Sequence, residues 1–155
     1  PGPGVGGHCI AVDPWFIVSS APEESRLIHT ARLVNDSKPN YVVEKVRKAA
    51  DEFKRPVIGC LGLAFKADID DLRESPALDI VKALAQSGIG RVVAVEPHIS
   101  QLPDELIEVG VELVGFDAAL EEANTLVVLV DHSAFKSIPM SKVASKVVID
   151  TRGLW

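Results

Sequence analysis

Val57-Ile58-Gly59-Cys60-Leu61, then Ser75-Pro76-Ala77-Leu78-Asp79-Ile80-Val81-Lys82-Ala83-Leu84-Ala85-Gln86-Ser87-Gly88, then Arg91-Val92-Val93-Ala94-Val95: these three runs decide the fold. The outer two are short and, after Arg91 at the head of the second, apolar throughout, with no polar alternation, as strands buried on both faces of a parallel sheet read. The middle run is an amphipathic helix. Ser75 caps its start, Pro76 occupies its first position, and Gly88 stands where a left-handed residue ends it.

Outward from this unit the same texture continues. Glu112 to Val114 is a weaker strand, Asp117 is expected to cap a short helix through Glu122, Leu126 to Val130 is a third apolar strand, and Val147 to Asp150 is the last. Strands alternating with crossover helices predict an α/β fold, a Rossmann-like three-layer parallel sheet over residues 55–155. Before Arg55 the pattern is helical. Glu23 and Glu24 open a helix with Leu27, Ile28, Ala31 and Val34 at helical spacing, and Asn35 to Pro39 interrupts it. A second helix follows with Val42, Val43, Val46, Ala49 and Phe53 on one face. Neither face has an evident partner in the chain, so both are expected to bury against a second copy. Pro1 to Gly7 is too rich in Gly and Pro for helix or strand and reads as a loop that lets backbone approach another molecule. The opening Pro-Gly-Pro-Gly without Met is expected to be the cut end of something longer.

Composition narrows the partners. The 155 residues are 47% hydrophobic and 25% charged, as in an ordinary globular domain, which excludes disorder and collagen. A chain of this length buries roughly 70% of its unfolded surface and needs no disulfide or metal staple. Sixteen basic against twenty-two acidic residues leave a net charge of -6 with no basic run, so no nucleic acid partner is expected. No apolar run nears the roughly 18 residues of a membrane span, and no membrane partner is expected. Cys9 and Cys60 form no disulfide framework and suit a reducing compartment.

Ligands of such sheets gather beyond the carboxyl ends of the strands. The loops there carry Lys66, Asp68, Asp70, Asp71, Arg73, Glu74, Glu96, His98, Asp131, His132 and Arg152. Gly62-Leu63-Ala64-Phe65-Lys66 lacks the GxGxxG that seats a pyrophosphate on a helix N-terminus. Glu96 ends its strand as a ribose-binding carboxylate would, yet it stands 34 positions after Gly62 instead of about 20. Lys66, Arg73 and Arg152 form a cationic set suited to phosphates or a sugar acid. Asp68, Asp70 and Asp71 read as turn and cap residues, with Arg73 a candidate ion-pair partner. On spacing alone, Cys9 reads equally as a nucleophile and as a small buried hydrophobe, whereas Cys60 inside a strand reads as core. His8, Cys9, His98 and His132 have no recognisable zinc-ligand spacing.

Gly4-Val5-Gly6-Gly7-His8-Cys9-Ile10-Ala11-Val12-Asp13-Pro14, with Gly62-Leu63-Ala64-Phe65-Lys66 and Asp71-Leu72-Arg73-Glu74-Ser75, resembles the UDP-glucose/GDP-mannose dehydrogenase family. Val34-Asn35-Asp36 and Val148-Ile149-Asp150-Thr151-Arg152-Gly153 extend the resemblance over all 155 residues. His8, and Val12-Asp13-Pro14-Trp15-Phe16 in place of the usual lysine-bearing version, look most like the branch that oxidises UDP-N-acetyl-D-mannosamine.

The resemblance implies a catalytic cysteine loop at residues 1–19, part of a central helical dimerisation region at 20–54, and a C-terminal UDP-binding Rossmann-like domain at 55–155. It implies oxidation of the sugar C6 alcohol to a carboxylate through a thiohemiacetal and thioester on Cys9, with Asp13 activating the hydrolytic water. Gly6, Phe65, Lys66 and Arg152 would contact substrate and Arg73 would contact NAD. Most of the NAD site, with the lysine and asparagine that stabilise oxyanions, would lie in a domain missing from this chain. A fragment without turnover, a homodimer, a UDP-N-acetyl-hexosamine substrate, a role in surface-polysaccharide synthesis and a cytoplasmic location follow from the same resemblance. The alternatives are a UDP-sugar-binding or assembly module without redox activity, and a dehydrogenase for another UDP-hexose.

Overall fold

A computed structural model describes residues 2–155; Pro1, the first residue of the expected loop, lies outside them. The elements run α1 (Asp13–Ser20), α2 (Arg26–Asp36), α3 (Lys38–Ala50), β1 (Val57–Leu61), α4 (Pro76–Gln86), β2 (Arg91–Val95) and α5 (Asp104–Ile107). After these come β3 (Glu112–Leu113), α6 (Phe116–Glu122), β4 (Thr125–Val128), α7 (Ser133–Lys136), a single 3-10 turn (Met140–Lys142) and β5 (Val147–Asp150).

The strands form one parallel sheet ordered β3-β2-β1-β4-β5, so the chain reverses direction across the sheet between β1 and β4. Alternate residues feed two layers because side chains along a strand point to opposite faces. Ile58, Cys60, Val92, Ala94 and Val127 pack with α3 and α4 on one face. Leu61, Val93, Val95 and Val128 meet Ala119 and Phe135 of α6 and α7 on the other. This is the three-layer α/β fold expected from the alternating runs.

Ser75 caps α4 as its position suggests: its Oγ accepts from Ala77 N–H at 3.3 Å and donates to the Leu63 carbonyl at 2.7 Å. Gly88 follows the helix at φ +66°. Asp117 differs from expectation. Gly115 holds the N-cap of α6, and Asp117 lies inside the first turn, where it accepts from Lys142 at 3.1 Å.

The helices before β1 also depart from the sequence expectation. Residues 1–19 were expected as loop, but α1 begins at Asp13, with Pro14 at its start where a missing N–H costs nothing. α3 does not await a second chain: Val42, Val43, Val46 and Ala50 are buried in the same core as α4 and the sheet. α2 has no buried residue, and Leu27, Leu33 and Val34 are exposed. Among the described residues no helix is long and apolar enough to cross a membrane.

Candidate functional site

The carboxyl edge of the sheet gathers the polar loops, as the fold rule requires. The Gly-rich segment lies over this edge. The crevice where strand order reverses is lined by Pro3, Gly4, Ala64, Phe65, Val130 and Arg152 and leaves a gap of only about 10 Å³. The glycine segment thus lies against the end of this crevice, where Pro3 and Gly4 join its lining. Glycine is needed along this path. A Cβ on Gly6 would overlap the Glu74 backbone carbonyl, whereas one on Gly2 would meet only the movable end of the Arg152 side chain. Gly7, at φ +92°, has the Phe65 ring 3.0 Å from where its Cβ would stand.

The segment is tied at three points. Val5 pairs with the Asn35 side chain, Gly7 N–H donates to the Glu74 carbonyl at 3.3 Å, and the Cys9 carbonyl accepts from Val12 and Asp13 as α1 begins. Between the last two ties Cys9 is exposed, and its Sγ lies 3.1 Å from His8 Nδ1. Exposure removes the small-buried-hydrophobe reading of Cys9. Cys60 is that residue instead: fully buried in β1, its thiol is pushed up to about 12 by desolvation.

Asp71 Oδ2 and Arg73 Nη2 pair at 2.6 Å, and the Arg73 hydrogen bonds hold the Asp71 carboxyl down at about 2. Asp131 Oδ1 accepts from Arg152 Nε at 2.8 Å and faces Nη2 at 2.7 Å; the Asp131 carboxyl is pushed up by burial, but Arg152 and a backbone hydrogen bond bring it below its ordinary value. Lys66 is exposed and, among the described residues, makes no ion pair. Asp13 is exposed at the head of α1, and Phe65 is half-buried against the glycine segment. Lys66, Arg73 and Arg152 therefore share one edge, with Cys9 on the segment above them.

Glu96 does not face a ribose. It is buried, Oε2 accepts from Leu63 and Ala64 N–H at 2.7 and 3.1 Å, and Oε1 accepts from His98 N–H at 3.1 Å. Burial pushes its carboxyl up, yet the hydrogen bonds from His132, Leu63 and His98 outweigh that and hold it below its ordinary value. His132, which composition alone did not single out, completes the network. Its Nδ1 accepts from Asp68 N–H at 2.9 Å, so the ring proton sits on Nε2 and is donated to Glu96 at 2.9 Å. Asp68, His98 and His132 lie close enough to suggest a cation site, but both ring nitrogens of His132 are already engaged and offer no free lone pair. The sequence offered no signal for this network beyond the polar residues at the strand ends.

Behind the cysteine segment, a cleft of about 260 Å³ is lined by Val12, Trp15, Arg32, Asn35, Glu74 and Asp79 and does not include Cys9.

A family model described as UDP-glucose/GDP-mannose dehydrogenase family, UDP binding domain, matches residues 59–155. The chain belongs to the UDP-glucose/GDP-mannose dehydrogenase family. It is 60% identical over 155 residues to an NDP-N-acetyl-D-galactosaminuronic acid dehydrogenase of Ralstonia nicotianae, covering all of this chain and 36% of that protein. It is 51% identical over 166 aligned positions to the UDP-N-acetyl-D-mannosamine dehydrogenase of Escherichia coli K12, covering all of this chain and 39% of that protein. The UDP-N-acetyl-mannosamine dehydrogenase structure from Staphylococcus aureus superposes with a TM-score of 0.82 at 37% identity, over 99% of this chain and 36% of that one. A UDP-glucose dehydrogenase structure from Pyrobaculum islandicum gives 0.84 at 25% identity, over 99% and 35%. The chain thus spans little more than a third of the length of these members of the family.

Proposed function

We propose that the chain is the catalytic-cysteine and UDP-binding portion of an NAD-dependent UDP-N-acetyl-D-mannosamine 6-dehydrogenase. The observation that carries this reading is the exposed Cys9 thiol, 3.1 Å from His8 Nδ1, on a glycine segment laid over the edge that bears Phe65, Lys66, Arg73 and Arg152. Residues 1–19 supply the cysteine, 20–54 belong to the helical dimerisation region, and 55–155 take the UDP. The protein acts in the cytoplasm as a homodimer in making the sugar acids of surface polysaccharides.

In this mechanism His8 takes the Cys9 proton and the thiolate adds to the C6 aldehyde, forming a carbon–sulfur bond and an alkoxide. Retention on sulfur keeps the aldehyde from escaping. After oxidation to the thioester, Asp13 draws a proton from water, the hydroxide adds to the carbonyl, and the thiolate leaves with the carboxylate product formed. Lys66 and Arg152 grip the diphosphate, and Phe65 with Gly6 bounds the sugar.

NAD, when bound, takes up the hydrides. The residues present do not fit it: GxGxxG is absent, and the start of α4 is closed by the Ser75 cap and by Pro76, which has no N–H to offer. Arg73 alone is assigned to it, and no turnover by these 155 residues by themselves follows.

A second reading, oxidation of the N-acetyl-D-galactosamine nucleotide, is favoured by the higher identity to the Ralstonia protein over an alignment no longer than the chain. The full-length protein, given the UDP-linked N-acetylmannosamine and N-acetylgalactosamine in parallel, decides between them by NADH formation. Calorimetry with UDP on the chain and its Arg152→Ala variant tests binding: loss of affinity in the variant is expected, and no affinity in either leaves an assembly module.

A further inference from the structure

Phe65 and Lys66 sit in a short span whose two ends are fastened to one buried pair. At the first end, Leu63 and Ala64 donate their N–H groups to Glu96 Oε2. At the far end, Asp68 N–H donates to His132 Nδ1. The two acceptors are joined by the 2.9 Å bond from His132 Nε2 to Glu96 Oε2, and both side chains are fully buried. Asp68 holds a left-handed conformation at φ +59°, uncommon for residues other than glycine though more accessible to Asp than to most. Its carboxylate is fixed in turn by Ser133, from N–H at 2.8 Å and Oγ at 2.6 Å.

Lys66 stands two residues from each fastening. A flexible ammonium loses affinity when its backbone wanders, because ordering it then falls to the ligand. Phe65 N–H also donates to the Asp71 carbonyl at 3.2 Å, but that bond joins the span to its own loop and leaves Glu96 and His132 to fix its ends to the strands. We propose that Glu96 and His132 form a positioning clamp that holds the Lys66 segment in register for a nucleoside diphosphate, and that His132 acts on the ligand only through Lys66. This inference rests on the proposed UDP site and assigns that site its supporting residues.

His132→Phe keeps an aromatic ring against Phe135 but leaves Asp68 N–H without an acceptor, whereas His132→Asn returns an acceptor oxygen near the Nδ1 position. Calorimetry with UDP on the full chain is expected to show about a tenfold loss for His132→Phe and partial recovery for His132→Asn, as for a lost hydrogen bond in a bound segment. In a Lys66→Ala background, His132→Phe is expected to add little, because the group it positions is gone. Amide exchange at Asp68, slow in the wild type, should quicken in the Phe variant without any ligand. Should His132→Phe fail to fold, Ser133→Ala, at the exposed end of the same tie, carries a smaller loss of the same sign. Wild-type affinity in a folded His132→Phe variant with a fast Asp68 amide overturns the clamp, as does a loss that adds in full to Lys66→Ala. Absence of UDP affinity in the wild type instead contradicts the proposed function, and Asp68 exchange then still reports the bonding.

Discussion

Asn35 engages both backbone groups of Val5, thirty residues away: its Oδ1 accepts from Val5 N–H at 2.8 Å, and its Nδ2 donates to the Val5 carbonyl at 3.4 Å. The Asn35 side chain, on the last turn of α2, thereby pairs with Val5 as a neighbouring peptide group would. The segment has no sheet or helix to satisfy its own backbone, so this amide, with the Gly7 bond to Glu74 and the start of α1, holds the stretch that carries Cys9.

Replacing Asn35 by Ala removes both bonds and should cost about 1 kcal/mol of stability, since a typical hydrogen bond contributes on that order. The more telling change is local. Val5 N–H should exchange faster in the variant while the β1 and β4 amides keep wild-type protection, measured by hydrogen exchange.

The two thiols should separate cleanly. Iodoacetamide is expected to modify Cys9 in the native chain and leave Cys60 untouched, because Cys60 is buried and its thiol is held up at about 12. Peptide mass mapping checks this, with Cys60 reacting only after denaturant is added.

The sheet and its crossings were legible because the inner strands β1, β2 and β4 are largely apolar runs and α4 carries its own start and stop in Ser75, Pro76 and Gly88. The helix α1 was not, since Trp15, Phe16, Ile17 and Val18 are weak helix formers, although Asp13-Pro14 is a proper helix start. The packing of α3 was hidden for another reason: an apolar stripe states that it needs cover and not which surface provides it. Sequence order likewise places Glu96 and His132 at strand ends. Only the sheet order, which sets β2 and β4 on either side of β1, brings them together.

Gly62 leaves β1 at φ +91°, and a Cβ there would overlap the side chain of Val130. Gly62→Ala should destabilise the chain by about 2 kcal/mol or more, combining backbone strain with a clash in a packed interior. Urea unfolding measures it through the shift in midpoint.

Acid should weaken the fold from a defined side. Glu96, Asp68, Asp71 and Asp131 all have native carboxyls below their ordinary values, so the unfolded chain binds more protons as pH falls. Their contribution is fully present above the unfolded carboxyl range and is lost as pH drops through the native values. Stability is expected to fall below about pH 4.5, with Glu96→Gln less stable at neutral pH and shallower in its acid slope. Thermal unfolding across pH 3 to 7 (about that window) checks both features.

In the proposed function the Cys9 sulfur carries the sugar during oxidation. The decisive measurement is uronic acid formation by the full-length protein with Cys9→Ser, set beside wild type under the same nucleotide sugar and NAD. The acid product is expected to be abolished, and wild type quenched during turnover is expected to bear a hydroxylamine-labile adduct on the Cys9 peptide. Undiminished acid formation by the serine variant would contradict the proposed function.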